Sequence, residues 1–193
     1  QEVVSLFGDM GVFYGPKPVR LLESLIILAN LKSDSIVLDF FSGSATTAHA
    51  LIKKNSNINF QCKFILVQLP EEVNDTKKEQ EYKNICEIGK ERTRRAGKKI
   101  KEESPLTTQN LDTGFRVFRL ADSNFEEVKK APGEYDQSQL DLFLNNVKSD
   151  RTDLDLLFGA MLSWGVQLSL PMTSEEVDGK MIYSVNDGDL VAC

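Results

Sequence analysis

The chain has 193 residues, 41% hydrophobic and 27% charged, which is enough ordinary globular composition for one sizeable domain, or for one domain with a small appendage. Its formal net charge of −6 and pI of about 5.0 exclude a free-standing basic module that grips nucleic acid by neutralising phosphates. No apolar run approaches the roughly 18 residues of a membrane span, no signal-peptide pattern opens the chain, and one histidine with three cysteines at no zinc or redox spacing argues against a metal site, so a soluble cytoplasmic protein with reduced thiols is expected.

Residues 1–15 carry Gly8, Gly11 and Gly15 and read as a loop with a short extended piece. Pro16-Lys17-Pro18 breaks the chain and suits a helix start. The helix that follows sets Leu21, Leu22, Leu25, Ile26 and Leu28 on one face. Ser35 to Phe41 is a short apolar run expected of a strand buried on both faces of a parallel sheet. After the turn Ser42-Gly43-Ser44, Ala45 to Lys53 predicts a helix, and Lys63 to Leu69 a second buried strand, ended by Pro70. That is a strand–helix–strand unit. Residues 71–103 are charge-rich with a thin stripe of Tyr82, Ile85 and Ile88, which predicts a partly exposed helix. Gly114 to Leu120 alternates arginine with apolar residues, as an edge strand does.

Beyond Asn124 the composition turns polar, with Pro132-Gly133 as a linker. An amphipathic helix is predicted over Thr152 to Trp164, with Gly165 as its C-terminal stop. Two strands, Lys180 to Val185 and Asp189 onward, flank the hairpin signal Asn186-Asp187-Gly188. Leu190 to Cys193 reads as the middle of a strand, so the sequence is expected to be trimmed from a longer protein. The expected fold is α/β: a cofactor-binding domain over residues 1–125 and a small α+β extension over 126–193.

The stretch richest in chemistry is Asp39-Phe40-Phe41-Ser42-Gly43-Ser44-Ala45-Thr46-Thr47. A glycine turn from a buried strand into a helix is where α/β sheets bind ligands, because helix N–H groups there hold carboxylates and phosphates. Gly43 allows close backbone approach, and Ser44, Thr46 and Thr47 are able to cap the helix or bond a ligand. Spacing alone is weak: the three glycines of the dinucleotide fingerprint and the lysine of a phosphate loop are both missing. A well-capped helix after a strand accounts equally well for that spacing.

The residue identities go further. The stretch resembles the first motif of S-adenosylmethionine-dependent DNA methyltransferases that modify exocyclic amines. Phe13 to Glu23, with Lys17-Pro18, is similar to the segment preceding that motif in the β-class enzymes. Phe64 to Glu71, Glu91 to Gly97, Gly114 to Phe125 and Asp155 to Cys193 are similar to the modification subunits of type III restriction–modification systems. The resemblance implies a Rossmann-like core and transfer of a methyl group from S-adenosylmethionine to the exocyclic amine of adenine in DNA. It implies that Asp39, Phe41, Ser42 and Gly43 line the methionine end of the cofactor, that Phe40 is also cofactor-binding, and that Lys17 and Pro18 lie beside its amino-acid group. Ser44 and Thr46 would complete these contacts. Gln68 stands where an acidic residue usually bonds the ribose hydroxyls, with Glu71 as a neighbouring substitute, and Ala45 stands where glycine is common.

The Asp-Pro-Pro-Tyr-like tetrapeptide through which such enzymes act on a flipped base is missing, since no two of the six prolines are adjacent. No catalytic residue is therefore expected in this chain, nor a metal ligand. The implied partners are double-stranded DNA, gripped mainly by the missing half, the restriction subunit and a second modification subunit. Two other classes remain open: another nucleotide-binding α/β domain, and a module for subunit assembly. The basic run Arg92, Arg94, Arg95, Lys98, Lys99 and Lys101 reads as a solvated helix face offset by glutamates, with DNA phosphates as the alternative. His49 reads as structural or exposed, and Asp122 as a turn residue or a neighbour of the cofactor's adenine.

Overall fold

The computed structural model describes residues 2–8, 15–57, 60–73, 82–126 and 146–193. The expected linker at Pro132-Gly133 and the Phe13-Tyr14 pair lie outside them. The protein is of mixed α/β structure and divides into two compact units, Gln1–Phe115 and Arg116–Cys193.

The first unit opens with a helix where a loop was expected, α1 (Glu2–Phe7). So short a helix owes its existence to packing rather than propensity. Val3 is buried with Tyr82 and Ile88, Phe7 meets Tyr82 edge-on at 6.1 Å, and the Arg95 guanidinium lies 4.7 Å from the Phe7 ring centroid. Helix α2 (Val19–Leu28) starts directly after Pro18. Its first N–H, on Val19, donates to the Glu2 carboxylate at 2.8 Å, an anion at the positive end of the helix.

Strand β1 (Ile36–Asp39), helix α3 (Thr46–Asn55) and strand β2 (Lys63–Leu66) form the expected strand–helix–strand unit. The strands pair in parallel, from Ile36 opposite Lys63 to Asp39 opposite Leu66. Val19, Ile26, Ala50, Leu51 and Cys62 make the core beneath them, with Val37 and Phe64 packed on it. The expectation of strands buried on both faces is corrected. Val37 and Phe64 point to the helices, whereas Ile36, Leu38 and Ile65 on the opposite face are 60%, 58% and 52% exposed. Period-2 alternation makes this a sheet covered on one side only among the described residues.

Helix α4 (Ile85–Glu103) is capped by Asn84, whose side chain accepts from the Glu87 N–H at 3.2 Å. It buries Ile88, Ala96 and Ile100 along one stripe. Two glycines let it come close. A Cβ on Gly89 would lie 3.4 Å from the carbonyl oxygen of Gly43, and one on Gly97 would lie 2.8 Å from Thr113 Cβ.

The strand expected over Gly114 to Leu120 does not form; the segment is irregular and, among the described residues, pairs with no strand, and from Arg116 on it belongs to the second unit. Its side chains have other bonds. Arg116 donates to the carbonyls of Leu168 and Leu170 and stacks over Phe158, and Phe118 meets Phe158 at 5.1 Å. Helix α5 (Asp153–Ser163) has a full capping box: the Thr152 hydroxyl accepts from the Asp155 N–H while the Asp155 carboxylate accepts from the Thr152 N–H. It ends as expected at Gly165, at φ 71°, with N–H groups of Val166 and Gly165 returning to the carbonyls of Met161 and Leu162. An antiparallel sheet of β3 (Met172–Val177), β4 (Lys180–Val185) and β5 (Leu190–Ala192) completes the unit. Strand β3 was not foreseen. Its Met-Thr-Ser-Glu-Glu-Val sequence is mostly exposed, but Asp178-Gly179, both at positive φ, is a hairpin signal. Leu157, Met161 and Val185 form the core of this unit.

Candidate functional site

The carboxyl ends of β1 and β2 and the start of α3 converge on one turn. Asp39, the last residue of β1, accepts from the Thr47 hydroxyl at 2.6 Å and from the Phe41 N–H at 3.2 Å. Its carboxylate thus ties the strand end to both the turn and the helix. Gln68, two residues past β2, reaches across: its amide oxygen accepts from the Gly43 N–H at 2.7 Å, and its amide nitrogen donates to Leu69 O at 3.2 Å. The Ser42 N–H donates to Val67 O at 3.2 Å, which extends the parallel ladder into the turn. Gly43 has φ 51° and Ala45 φ 59°, so two left-handed residues make the chain reverse into α3. Glycine suits the position of Ala45 for that reason.

Helix α3 has no side-chain cap. The hydroxyls read as capping groups are spent elsewhere: Thr47 on Asp39, and Thr46 on Lys17 O at 3.4 Å. No side chain caps the first-turn N–H groups, an arrangement that suits an anion. The Thr46–Lys17 bond also brings the Lys17-Pro18 segment to the same place, and Pro18 occupies the N-cap position of α2. Phe40 and Phe41 stand outside with rings 5.1 Å apart, 62% and 79% exposed, as a bare aromatic wall. All ten residues singled out in the sequence therefore sit at these strand ends or beside them. Glu71 is exposed beside the same strand end, where its backbone N–H donates to Leu69 O and its carbonyl accepts from the Ile85 N–H. Asp122, in the other unit, is taken by Lys148 at 2.6 Å and Arg151 at 2.8 Å.

One residue of the site was read otherwise from sequence. Arg92, counted within a solvated basic face, is 1% exposed beneath the turn. Its Nη1 donates to Ser44 Oγ at 2.8 Å and Thr46 Oγ1 at 2.7 Å. The signal was its spacing: Ile88, Arg92 and Ala96 fall four apart on the buried stripe of α4. Lys98 and Lys99 behave as read, pairing with Glu102 at 3.9 Å and Glu103 at 3.8 Å, whereas Arg95, paired with Glu91 at 2.6 Å, is half-buried over Phe7 and donates to Leu6 O. His49 lies on α3 with a buried Nδ1 that has no partner. Burial, reinforced by Arg92 and Lys53 against the weaker pull of Glu2 and Glu23, pushes its pKa down to about 4. Among the described residues no cluster of His, Cys, Asp and Glu could hold a metal, and no helix is long and apolar enough to cross a membrane.

A family model described as DNA methylase matches residues 5–102, half of the chain, so the chain belongs to the DNA methylase family. It is 42% identical over 123 residues to the Mod subunit of the type III restriction-modification enzyme StyLTI of Salmonella typhimurium, a match covering 63% of this chain and 18% of that protein. The EcoPI Mod subunit of Escherichia phage P1 is 40% identical over 124 residues, again 63% and 18% of the two chains. The type II methyltransferase M.KpnI of Klebsiella pneumoniae is 42% identical over 67 residues, 35% of this chain and 16% of that one. The matched region thus spans less than a fifth of the curated relatives.

Proposed function

We propose that the chain is the cofactor-binding part of a DNA-adenine methyltransferase, from the modification subunit of a type III restriction–modification system. The observation that carries this reading is the convergence of Asp39, Gln68, the Gly43 turn and the uncapped start of α3 at the ends of two parallel strands. Parallel sheets take ligands there. The parallel pair with its α3 crossover supports reading the core as Rossmann-like. Residues 1–125 form the cofactor-binding part on this reading, and 126–193 an α+β extension.

The site suits S-adenosylmethionine chemically. Uncapped N–H groups at α3 and the Arg92 charge beneath suit a carboxylate, and the exposed Phe40 and Phe41 rings suit the sulfonium and the adenine ring. Lys17 and Pro18 lie beside the amino-acid end. Asp39, Ser42, Gly43, Ser44 and Thr46 shape the turn around it. Gln68 keeps one amide N–H beyond its bond to Leu69 O, and this donates to a ribose hydroxyl. When bound, S-adenosylmethionine supplies an activated methyl group. The chain orients it but has no Asp-Pro-Pro-Tyr-like element to place an adenine, so it binds cofactor without turning over.

The intact enzyme on this reading acts in the cytoplasm on double-stranded DNA, beside a restriction subunit and a second modification subunit. The acidic net charge assigns most DNA contact to another region. Calorimetric titration with S-adenosylmethionine, S-adenosylhomocysteine and NADH tests the proposal. Selective binding of the first two is expected. Preference for NADH would make this another nucleotide-binding domain, and no binding with dimerisation in light scattering would make it an assembly module.

A further inference from the structure

Arg92 stands out because it is a buried charge without a matching one. Its Nε and Nη2 have no hydrogen-bond partner, and no described carboxylate pairs with it. Among the described acidic groups Glu2 exerts a compensating field, and its carboxylate is engaged by the Val19 N–H. Taking a guanidinium out of water with three of its five N–H donors unmet costs stability, so packing alone does not account for it. The contacts it does make all lie at the ligand turn. Ser44 Oγ accepts from Nη1, which leaves the Ser44 O–H proton free, since no described residue accepts it. Thr46 Oγ1 accepts from the same nitrogen and donates its own O–H to Lys17 O. One cation thus holds the turn, the start of α3 and the Lys17-Pro18 segment in fixed relation. Gly89, one turn earlier on α4, packs against the same turn, where an added Cβ would lie 3.4 Å from Gly43 O.

We infer that Arg92 is a positioning residue that makes the Gly43 turn select ligands ending in a carboxylate, through the polarised Ser44 hydroxyl and the positive field added to the α3 N-terminus. The inference rests on the cofactor reading above and names the group that discriminates at its amino-acid end. A carboxylate at the turn would meet the open N–H groups of α3 and the Ser44 O–H, with the guanidinium behind both. Two donors of like sign at one point serve an anion and repel an ammonium group.

The test is calorimetry on the full chain with S-adenosylhomocysteine and its decarboxylated analogue, titrated to millimolar concentration. The wild-type chain should prefer the carboxylate-bearing ligand by about tenfold or more. Arg92→Gln should lower affinity for that ligand alone and shrink the preference to within about threefold, and Arg92→Lys should restore most of it. Ser44→Ala, which leaves the buried charge in place, should shift the preference in the same direction and serves if Arg92→Gln does not fold. Parallel losses for both ligands, or an unchanged preference in Ser44→Ala and Arg92→Gln, would overturn the inference while leaving the cofactor reading intact. A wild-type chain that binds neither ligand would overturn both.

Discussion

Asp39 and Arg92 hold the same turn by opposite means. The carboxylate accepts two bonds at the end of β1 and is reached by solvent, whereas the guanidinium donates from beneath and is sealed. Replacing Asp39 by Ala strands the buried Thr47 hydroxyl and the Phe41 N–H, which costs about 1–3 kcal/mol. We expect Asp39→Ala to weaken S-adenosylhomocysteine binding tenfold or more in calorimetry, with Thr47→Ala weakening it less; unchanged affinity in Asp39→Ala would remove that residue from the site. At this scale the sequence was largely legible. Gly43 is named by the turn and Asp39 and Gln68 by the resemblance to the amino-methyltransferases, and the geometry brings the three together. The missing information was direction. Nothing in the letters says that the Thr46 and Thr47 hydroxyls turn back to Lys17 and Asp39, because a threonine after a glycine turn serves as cap or strut with equal ease. Arg92 was hidden by its company, since a run of six basic residues reads as solvated unless the apolar stripe through it is counted.

Among the elements, the strand–helix–strand unit and α5 were predictable because each is written in local signals: apolar runs, a glycine turn, a capping threonine, a glycine stop. Strand 114–120 failed because alternation shows only that a segment can pair, and Arg116 found the Leu168 and Leu170 carbonyls instead. Helix α1 was missed because six residues carry no periodicity, and its stability comes from Tyr82 and Ile88, more than seventy residues away. The close approach of α4 to Thr113 gives a direct test of such packing. Gly97→Ala gains about 1 kcal/mol of helix propensity but forces a Cβ to 2.8 Å from Thr113 Cβ, and overpacking of about 1–3 kcal/mol should outweigh it. In urea titration the double variant with Thr113→Gly should lose less than the sum of the two singles; strict additivity would show that the segments move apart freely. In the other unit, Thr152→Ala removes the capping box and should cost about 1 kcal/mol. Trp164, the chain's only tryptophan, stands at the end of α5 and reports that melting by fluorescence.

At the scale of the whole molecule, acid stability turns on one imidazole. His49 is held neutral in the folded chain, with a pKa of about 4 against an ordinary 6.5. A depressed histidine binds its proton more readily when the chain unfolds, so its contribution is complete above pH 6.5 and is lost as pH falls from 6.5 towards 4. The loss reaches up to about 3 kcal/mol over that window at about 1.4 kcal/mol per pKa unit. Denaturation midpoints measured between pH 7 and 4 should therefore flatten in His49→Gln; an equal slope in both proteins would place the acid sensitivity in the carboxylates.

The half-covered sheet has a consequence for how the protein behaves in a tube. Ile36, Leu38 and Ile65 present apolar side chains to water on a pair of short strands whose outer edges carry unpaired backbone groups among the described residues. Such a surface is a template for other copies, and its attraction grows with concentration and with salts excluded from protein surfaces. The chain should accordingly cloud on concentration or in sulfate while its helices remain folded by circular dichroism. Leu38→Lys, which adds charge to the uncovered face without touching the core beneath, should raise the concentration at which turbidity begins.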